Sequence, residues 1–264
     1  MFSNLKTSKQ RPSTWSVWPP SFSKTIWITA IVLLLGLLIP PIYLFYRSVF
    51  SDAEIVALMN RKSLWVSLLN SFVLMATVSF TSVLISIPCA WITTRSGVKG
   101  RGVWAVAFAL PLVIPTYVGG FIVVIFLGPK GMLQQMLEIC CGVERLPSVY
   151  GLWGATFTLA IFSYPYVYLS IRSGFLKLDN SLVEVAESLG LTRTEIFFKV
   201  ILRQLVPSIL AGVLLVSLYV LSDFGAVSLL RYKTFSWSIF IQYGTALDRN
   251  VAAVYSSFLI ITAI

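Results

Sequence analysis

Residues 184–209 read EVAESLGLTRTEIFFKVILRQLVPSI, three acids and three bases in a chain of 264 residues of which only 11% are charged. Just upstream, Ser181 and Glu184 have the S-x-x-E spacing of a capping box, in which the hydroxyl accepts from a backbone N–H and the carboxylate reaches back. That spacing predicts a helix start. Leu182, Val185 or Ala186, and Leu189 then share one face, and Gly190 stands where a helix ends in a left-handed residue. Thr192 and Glu195 repeat the capping spacing, and Ile196, Phe197, Val200, Ile201 and Leu205 give a second apolar stripe before Pro207. The prediction is two short amphipathic helices joined by a tight turn at Gly190.

The rest of the chain is oily. With 57% hydrophobic residues and a mean hydropathy of +0.86, it is solvated by lipid, which makes it an integral membrane protein. A helical span needs about 20 mainly apolar residues, because every backbone polar group must be satisfied within the segment. Five runs meet that length: Ile26 to Tyr46, Leu64 to Ile92, Val103 to Leu127, Tyr150 to Ile171 and Leu205 to Leu230. A sixth begins near Val251 and meets Ile264 before it could cross, so the expectation is an all-α polytopic protein of about six spans with the last truncated. The first run is longer than a signal-peptide core and no small-x-small site follows it, so it is expected to stay as a span. Residues 1–25, rich in Ser, Pro and Lys, read as a tail, leaving 26–264 as the membrane domain and 172–205 as its main charged loop.

Orientation follows from Lys and Arg. Twelve fall on the side of the tail and the 172–205 loop (Lys6, Lys9, Arg11, Lys24, Arg95, Lys99, Arg101, Arg172, Lys177, Arg193, Lys199, Arg203). Eight fall opposite (Arg47, Arg61, Lys62, Lys130, Arg145, Arg231, Lys233, Arg249), which favours a cytoplasmic amino terminus. The net charge of +10 is spread over short loops, so it reads as anchoring to anionic lipid, with no nucleic-acid partner.

The helix pair has two other readings. A DNA-reading helix-turn-helix is excluded, because the loop is pinned between spans and lacks a basic recognition face. Two interfacial helices lying on the membrane would bring Glu184, Glu187 and Glu195 against anionic headgroups, which is unfavourable unless something binds them. A protein partner fits better. Among the remaining signals, Pro40 with Pro41, Pro88, Pro111 with Pro115, and Pro165 lie inside spans, where each tends to kink its helix and is either tolerated because neighbours repair the lost bonds or serves as a hinge or cavity wall, and LPLVIPTYVGG marks the third span as the candidate pathway lining. Asp223 is the acid inside an apolar run, either part of a cation pathway or paired structurally with Arg231 or with a loop near the interface. No histidine occurs and Cys89, Cys140 and Cys141 lack ligand spacing, so no metal site is expected. A membrane enzyme would need paired acids, G-x-S-x-G or H-E-x-x-H, none of which occurs. An ion-coupled secondary carrier would suit the kinks and the lone acid, but it has no need of the capped helix pair.

The loop resembles the EAA loop of bacterial ATP-binding-cassette importer permeases, E-A-A-x-x-x-G, nine residues, then I-x-L-P. Glu184, Val185, Ala186, Gly190, Val200 and Leu202 take those places, with Val185 for an Ala, Val200 for Ile and Arg203 for the final Pro. The resemblance implies the type I importer permease fold in a bacterial inner membrane. It implies a coupling helix seated on a cytosolic ATPase dimer, with Glu184, Ala186, Glu187, Gly190 and Leu202 as the coupling set: Glu184 contact and cap, Ala186 the small residue, Gly190 the turn. ATP would be used by that partner, since the chain has no G-x-x-x-x-G-K-[ST] loop and binds no cofactor of its own. The stretch LSDFGAVSLLRYKTFSWSIFIQYGTAL looks like ferric-iron permeases, and more loosely like thiamine, sulfate and polyamine permeases. The ferric likeness further implies a periplasmic binding protein, a second permease half or copy, and this chain as an amino-terminal half.

Overall fold

A computed structural model describes residues 20–50, 62–142, 147–244 and 249–263, and contains no β-strand among them. The expected tail therefore lies outside the described residues as far as residue 19. Helix α1 is Pro20–Val49, starting six residues before the apolar run, and α2 is Lys62–Thr94. After them come α3 (Arg101–Ala107), a 3-10 turn (Leu110–Val113), α4 (Thr116–Leu127) and α5 (Met132–Cys141). The chain continues through α6 (Leu152–Leu176), α7 (Asn180–Ser188) and α8 (Arg193–Ile196). A π turn (Phe197–Ile201) carries α8 into α9 (Leu202–Ser222). Three helices close the sequence: α10 (Gly225–Leu229), α11 (Phe235–Gly244) and α12 (Arg249–Ala263).

Two expected spans are broken. The run Val103 to Leu127 is not one helix: Pro111 sits in the 3-10 turn, and Pro115, which has no N–H to give, stands as the residue before α4. Apolar helix resumes at Thr116 as α4 and, after a turn at residues 128–131, continues as α5 to Cys141. The run Leu205 to Leu230 stops at Ser222, where Asp223 turns to an extended conformation before α10. Among the described residues, four helical stretches are long and apolar enough to cross a membrane, Lys24–Val49, Lys62–Thr94, Thr116–Cys141 and Arg193–Ser222. The run Tyr150 to Ile171 does form a helix, α6, but a more polar one.

That polarity reflects its place. Helix α6 is the centre of the bundle, packed most extensively on α2 and then on α9. Lipid tails are as apolar as leucine, so helices associate here by close packing and hydrogen bonds instead of by apolar burial. Accordingly, Ser67, Ser71, Ser79, Ser82, Ser86, Ala90 and Thr93 of α2 are buried, while Trp65, Leu69, Phe80 and Leu84 are exposed. Thr77 and Thr156 hydroxyls lie 2.9 Å apart, Ser86 Oγ donates to Tyr164 O at 3.0 Å, and Tyr168 OH donates to Thr93 Oγ1 at 3.2 Å. Helices α6 and α9 meet on small residues, Gly174 against Ser208 and Gly212 against Val167. Helix α1 stands apart, with its spanning window entirely unburied, and touches chiefly α12.

Candidate functional site

The helix pair forms at one end of α6 and α9, as its local chemistry dictates. Asp179, two residues before the expected cap Ser181, is the N-cap of α7, its Oδ1 accepting from Ser181 N at 2.9 Å. The correction has a simple cause: Asp and Ser are both good caps, and an Asp that can close a short loop onto N2 takes the position. Hydrogen bonds from Ser181, side chain first and backbone second, hold the Asp179 carboxyl below its ordinary range. Helix α7 ends in a Schellman motif: Gly190 adopts φ +79°, its N–H donates to Glu187 O at 3.0 Å, and Leu191 N donates to Ala186 O at 3.2 Å. The second box is present as read. Thr192 N donates to Glu195 Oε2 at 3.0 Å, Glu195 N donates to Thr192 Oγ1 at 3.4 Å, and Lys199 Nζ donates to Glu195 Oε1 at 2.9 Å.

The pair is braced from the bundle. Val183, Ala186, Leu191, Ile196, Phe197 and Ile201 belong to the main core, and Trp91 of α2 meets Phe175 and Phe197 edge-on at 5.8 and 5.7 Å. Arg95, just beyond α2, donates to Asn180 Oδ1 at 2.8 Å. Removing the cap should loosen this end of the loop. An Asp179→Ala variant is expected to exchange the first-turn amides of α7 faster in hydrogen-exchange measurements, while Asp179→Asn, also a good cap, keeps them protected. Because the folded pKa is lowered, the capping contribution is complete above the unfolded aspartate value and fades as pH falls through the folded one. Equal exchange rates in parent and Ala variant would contradict the assignment.

Outward, the pair is unfinished. Leu182, Val185 and Leu189 are 49%, 54% and 74% exposed on a helix whose other side is packed. They form one wall of a groove of about 440 Å³, whose far wall is Lys199, Val200, Arg203 and Gln204. A second hollow of about 530 Å³ lies on the other side of α7, bounded by Trp91, Glu187, Arg193 and Phe197. Helix α7 thus presents an open apolar face beside a groove.

The predicted coupling residues divide into two groups. Glu184, Glu187 and Gly190 are exposed, and the Glu184 carboxylate caps nothing and pairs with nothing among the described residues. Ala186 is buried inside this chain, where α7 crosses the second helix, and Leu202 is half-buried at the start of α9. The outward leucines and the basic far wall are the part that residue-by-residue reading missed: the stripe was legible, but its being left open is a tertiary fact.

Asp223 is far from this site and fully engaged. Its Oδ2 accepts from Thr116 Oγ1 at 2.5 Å, its Oδ1 from Ala226 N at 3.1 Å, and its backbone O from Ser236 Oγ at 2.7 Å. Tyr219 OH donates to Thr116 Oγ1 at 3.1 Å. The acid thus ties the start of α4 to the break between α9 and α10. Its expected alternative partner is elsewhere: the Arg231 guanidinium lies 4.8 Å from the centre of the Tyr150 ring. Arg231 itself has φ +54° and closes α10, with its N–H on Ser228 O and Tyr232 N on Val227 O. Among the described residues no three His, Cys, Asp or Glu side chains come together as a metal site, and Cys89, Cys140 and Cys141 are free thiols.

Known proteins resemble this chain in sequence and in fold. The profile of the family described as "Binding-protein-dependent transport system inner membrane component" matches residues 64–264. The Fe(3+)-transport system permease protein FbpB 2 of Haemophilus influenzae is 31% identical over 236 residues, 88% of this chain and 43% of that one. The molybdenum transport system permease protein ModB of Escherichia coli K12 is 30% identical over 154 residues, 56% of this chain and 66% of that one. The chain therefore spans less than half the length of the ferric relative. A chain in the crystal structure of a bacterial alginate ABC transporter, in complex with alginate pentasaccharide-bound periplasmic protein, superposes with a TM-score of 0.71. It covers 92% of this chain and 89% of that one, and at 18% identity the likeness is one of fold.

Proposed function

The chain belongs to the family of binding-protein-dependent transport system inner membrane components, with the type I importer permease fold, and from that premise we propose that it is the permease subunit of an ATP-driven importer. In this reading the spans form the translocation pathway with a second permease half or copy. A periplasmic binding protein delivers the cargo, and residues 172–205 face the cytosol together with the amino terminus. The observation that carries the proposal is the α7 to α9 helix pair, capped at both starts, turned at Gly190 and left with its leucine face uncovered. Such a pair is stiff enough to pass a push from a docked ATPase into α9, which is continuous with it through the π turn. Hydrolysis is the partner's work. Glu184 and Glu187 are exposed for contact, while Ala186 sets how closely α7 lies on the second helix.

The proposed cargo is ferric iron, supported by the relative that aligns with 88% of this chain. A second reading, an oxyanion such as molybdate or sulfate, draws on the molybdenum permease and on the sulfate permease CysT of Escherichia coli K12, 30% identical over 182 residues. Uptake of labelled ferric iron, molybdate and sulfate separates them, in cells lacking the gene and complemented with the full reading frame or its Gly190→Leu variant. An iron defect repaired by the parent gene alone supports cargo and turn together. A molybdate or sulfate defect keeps the permease and changes its cargo. At Gly190 a Cβ would meet nothing within 4 Å, so the leucine costs only backbone strain, about 1–2 kcal/mol for a left-handed residue. The variant is expected to insert normally and transport poorly. Parent-level transport by Gly190→Leu would remove the turn from the mechanism.

A further inference from the structure

Taken together with α8 and the π turn, α9 is helical from Arg193 to Ser222. At about 1.5 Å per residue that is roughly 45 Å, so its far end lies a membrane width from the start of the second helix of the pair. Along the way α9 packs on α6 and α2. At Asp223 it stops, and the acid there is bonded in three directions. The carboxylate accepts from Oγ1 of Thr116, the first residue of α4, at 2.5 Å and from Ala226 N of α10 at 3.1 Å, and the backbone O accepts from Ser236 Oγ of α11. Tyr219, one turn back on α9, donates its OH to the same Thr116 oxygen at 3.1 Å, which leaves the threonine proton for the carboxylate.

Beyond the break, α4 and α10 form one block. A Cβ at Gly120 would lie 3.3 Å from Ala226 Cα, and one at Gly225 would lie 3.1 Å from Tyr117 Cβ, so the two helices meet at close range on small residues. Upstream of α4 the chain is extended at Ile114 and Pro115, so no helix holds α4 from that side. Helix α4 also meets α6, where the Phe162 ring lies against Gly119. That apolar contact is non-directional and lets the helices slide, while a hydrogen bond to a carboxylate holds a short, directed geometry. We propose that the Asp223 carboxylate and the Thr116 hydroxyl form a latch that hands the movement of α9 to α4, with both as positioning residues of the transport cycle and Tyr219 orienting the hydroxyl. This deepens the coupling reading above and rests on it.

The test uses the assembled importer in nanodiscs, the full-length permease with its ATPase and loaded binding protein, in a background whose native cysteines are replaced by Ala. A bimane probe is attached to Leu218→Cys in α9 or to Ile122→Cys in α4, both exposed positions, and its emission is read before and after trapping with ATP and vanadate. In the parent both probes are expected to shift. In Thr116→Val, which keeps the shape and loses the donor, the Leu218 shift should persist and the Ile122 shift should be lost. Thr116→Ser restores the hydroxyl and should recover it, a rescue that packing alone would not give. Ser236→Ala removes the bond to the Asp223 backbone and spares the carboxylate, so both shifts should remain. Asp223→Asn has the same size and can still accept from Ala226 N, but it makes the bond neutral and should shrink the Ile122 shift; it takes the place of Thr116→Val if that variant is not incorporated. A parent-sized Ile122 shift in the variant used would overturn the latch and leave the coupling loop standing, as would a parent in which Leu218 responds and Ile122 does not. Loss of the Leu218 shift in Thr116→Val would make the bond a general brace of the fold and overturn the latch too. Silence at Leu218 in the parent would overturn the coupling reading and the latch with it.

Discussion

A permease carrying both Leu182→Asp and Leu189→Asp is expected to reach the membrane in normal amount and to transport nothing. The two leucines are 49% and 74% exposed, so their replacement opens no cavity in the bundle. What they lose is the surface a partner would cover. Covering the exposed part of a leucine contributes roughly 1–2 kcal/mol, so the pair contributes about 2–4 kcal/mol, and a loss of that size raises a dissociation constant by about 30- to 1,000-fold. Two new charges in the interface add a desolvation cost in the same direction. Detergent-extracted yield and thermal melting of the variant should match the parent, and uptake should not. Normal uptake would mean that this face is not where the motor engages.

A large effect on the fold itself is expected at Gly212. A Cβ there would lie 2.8 Å from the Val167 Cα and 3.2 Å from the Ser170 Cβ, so it meets the backbone of α6 and not the tip of a movable side chain. The α6 to α9 contact is the one that joins the central helix to the helix that continues from the α7–α8 pair. Gly212→Val must push the two helices apart, which costs about 1–3 kcal/mol by overpacking and loses close contacts along the seam. The expected results are a lower melting temperature in detergent and a reduced yield. Gly36→Val in α1 is the matched control, because nothing lies within 4 Å of a Cβ there. Equal melting of the two variants would contradict the packing described for α6 and α9.

These contrasts explain which features could be read in advance. The helix pair was legible because its determinants are local: Thr192 with Glu195, and Gly190 at a left-handed end, act within a few residues of themselves. The cap of α7 slipped from Ser181 to Asp179 because two adequate caps lay close together and only the loop geometry chooses between them. Apolar runs located the spans but overstated their continuity. Pro111, Pro115 and Asp223 lie inside such runs, and hydropathy is blind to a backbone break; at Asp223 the carbonyl accepts from Ser236 and the carboxylate from Thr116, both on other elements. Helix α6 was the hardest to weigh, because in lipid the interior of a bundle is marked by Gly, Ser and Thr and the outside by leucine and phenylalanine. Arg231 was equally hidden: a left-handed helix end calls for glycine, and only the Tyr150 ring gives the arginine a reason to be there.

The claim on which the rest depends is that the α7 to α9 pair carries force between an ATPase and the spans. Its most direct measurement is ATP hydrolysis in proteoliposomes holding the full-length permease and its ATPase, with and without loaded binding protein. The comparison is between the parent and the Leu182→Asp, Leu189→Asp variant. Stimulation by the binding protein in the parent, and its loss in a variant incorporated at the same level, is the predicted result. Equal stimulation in both would contradict the coupling role of this helix pair.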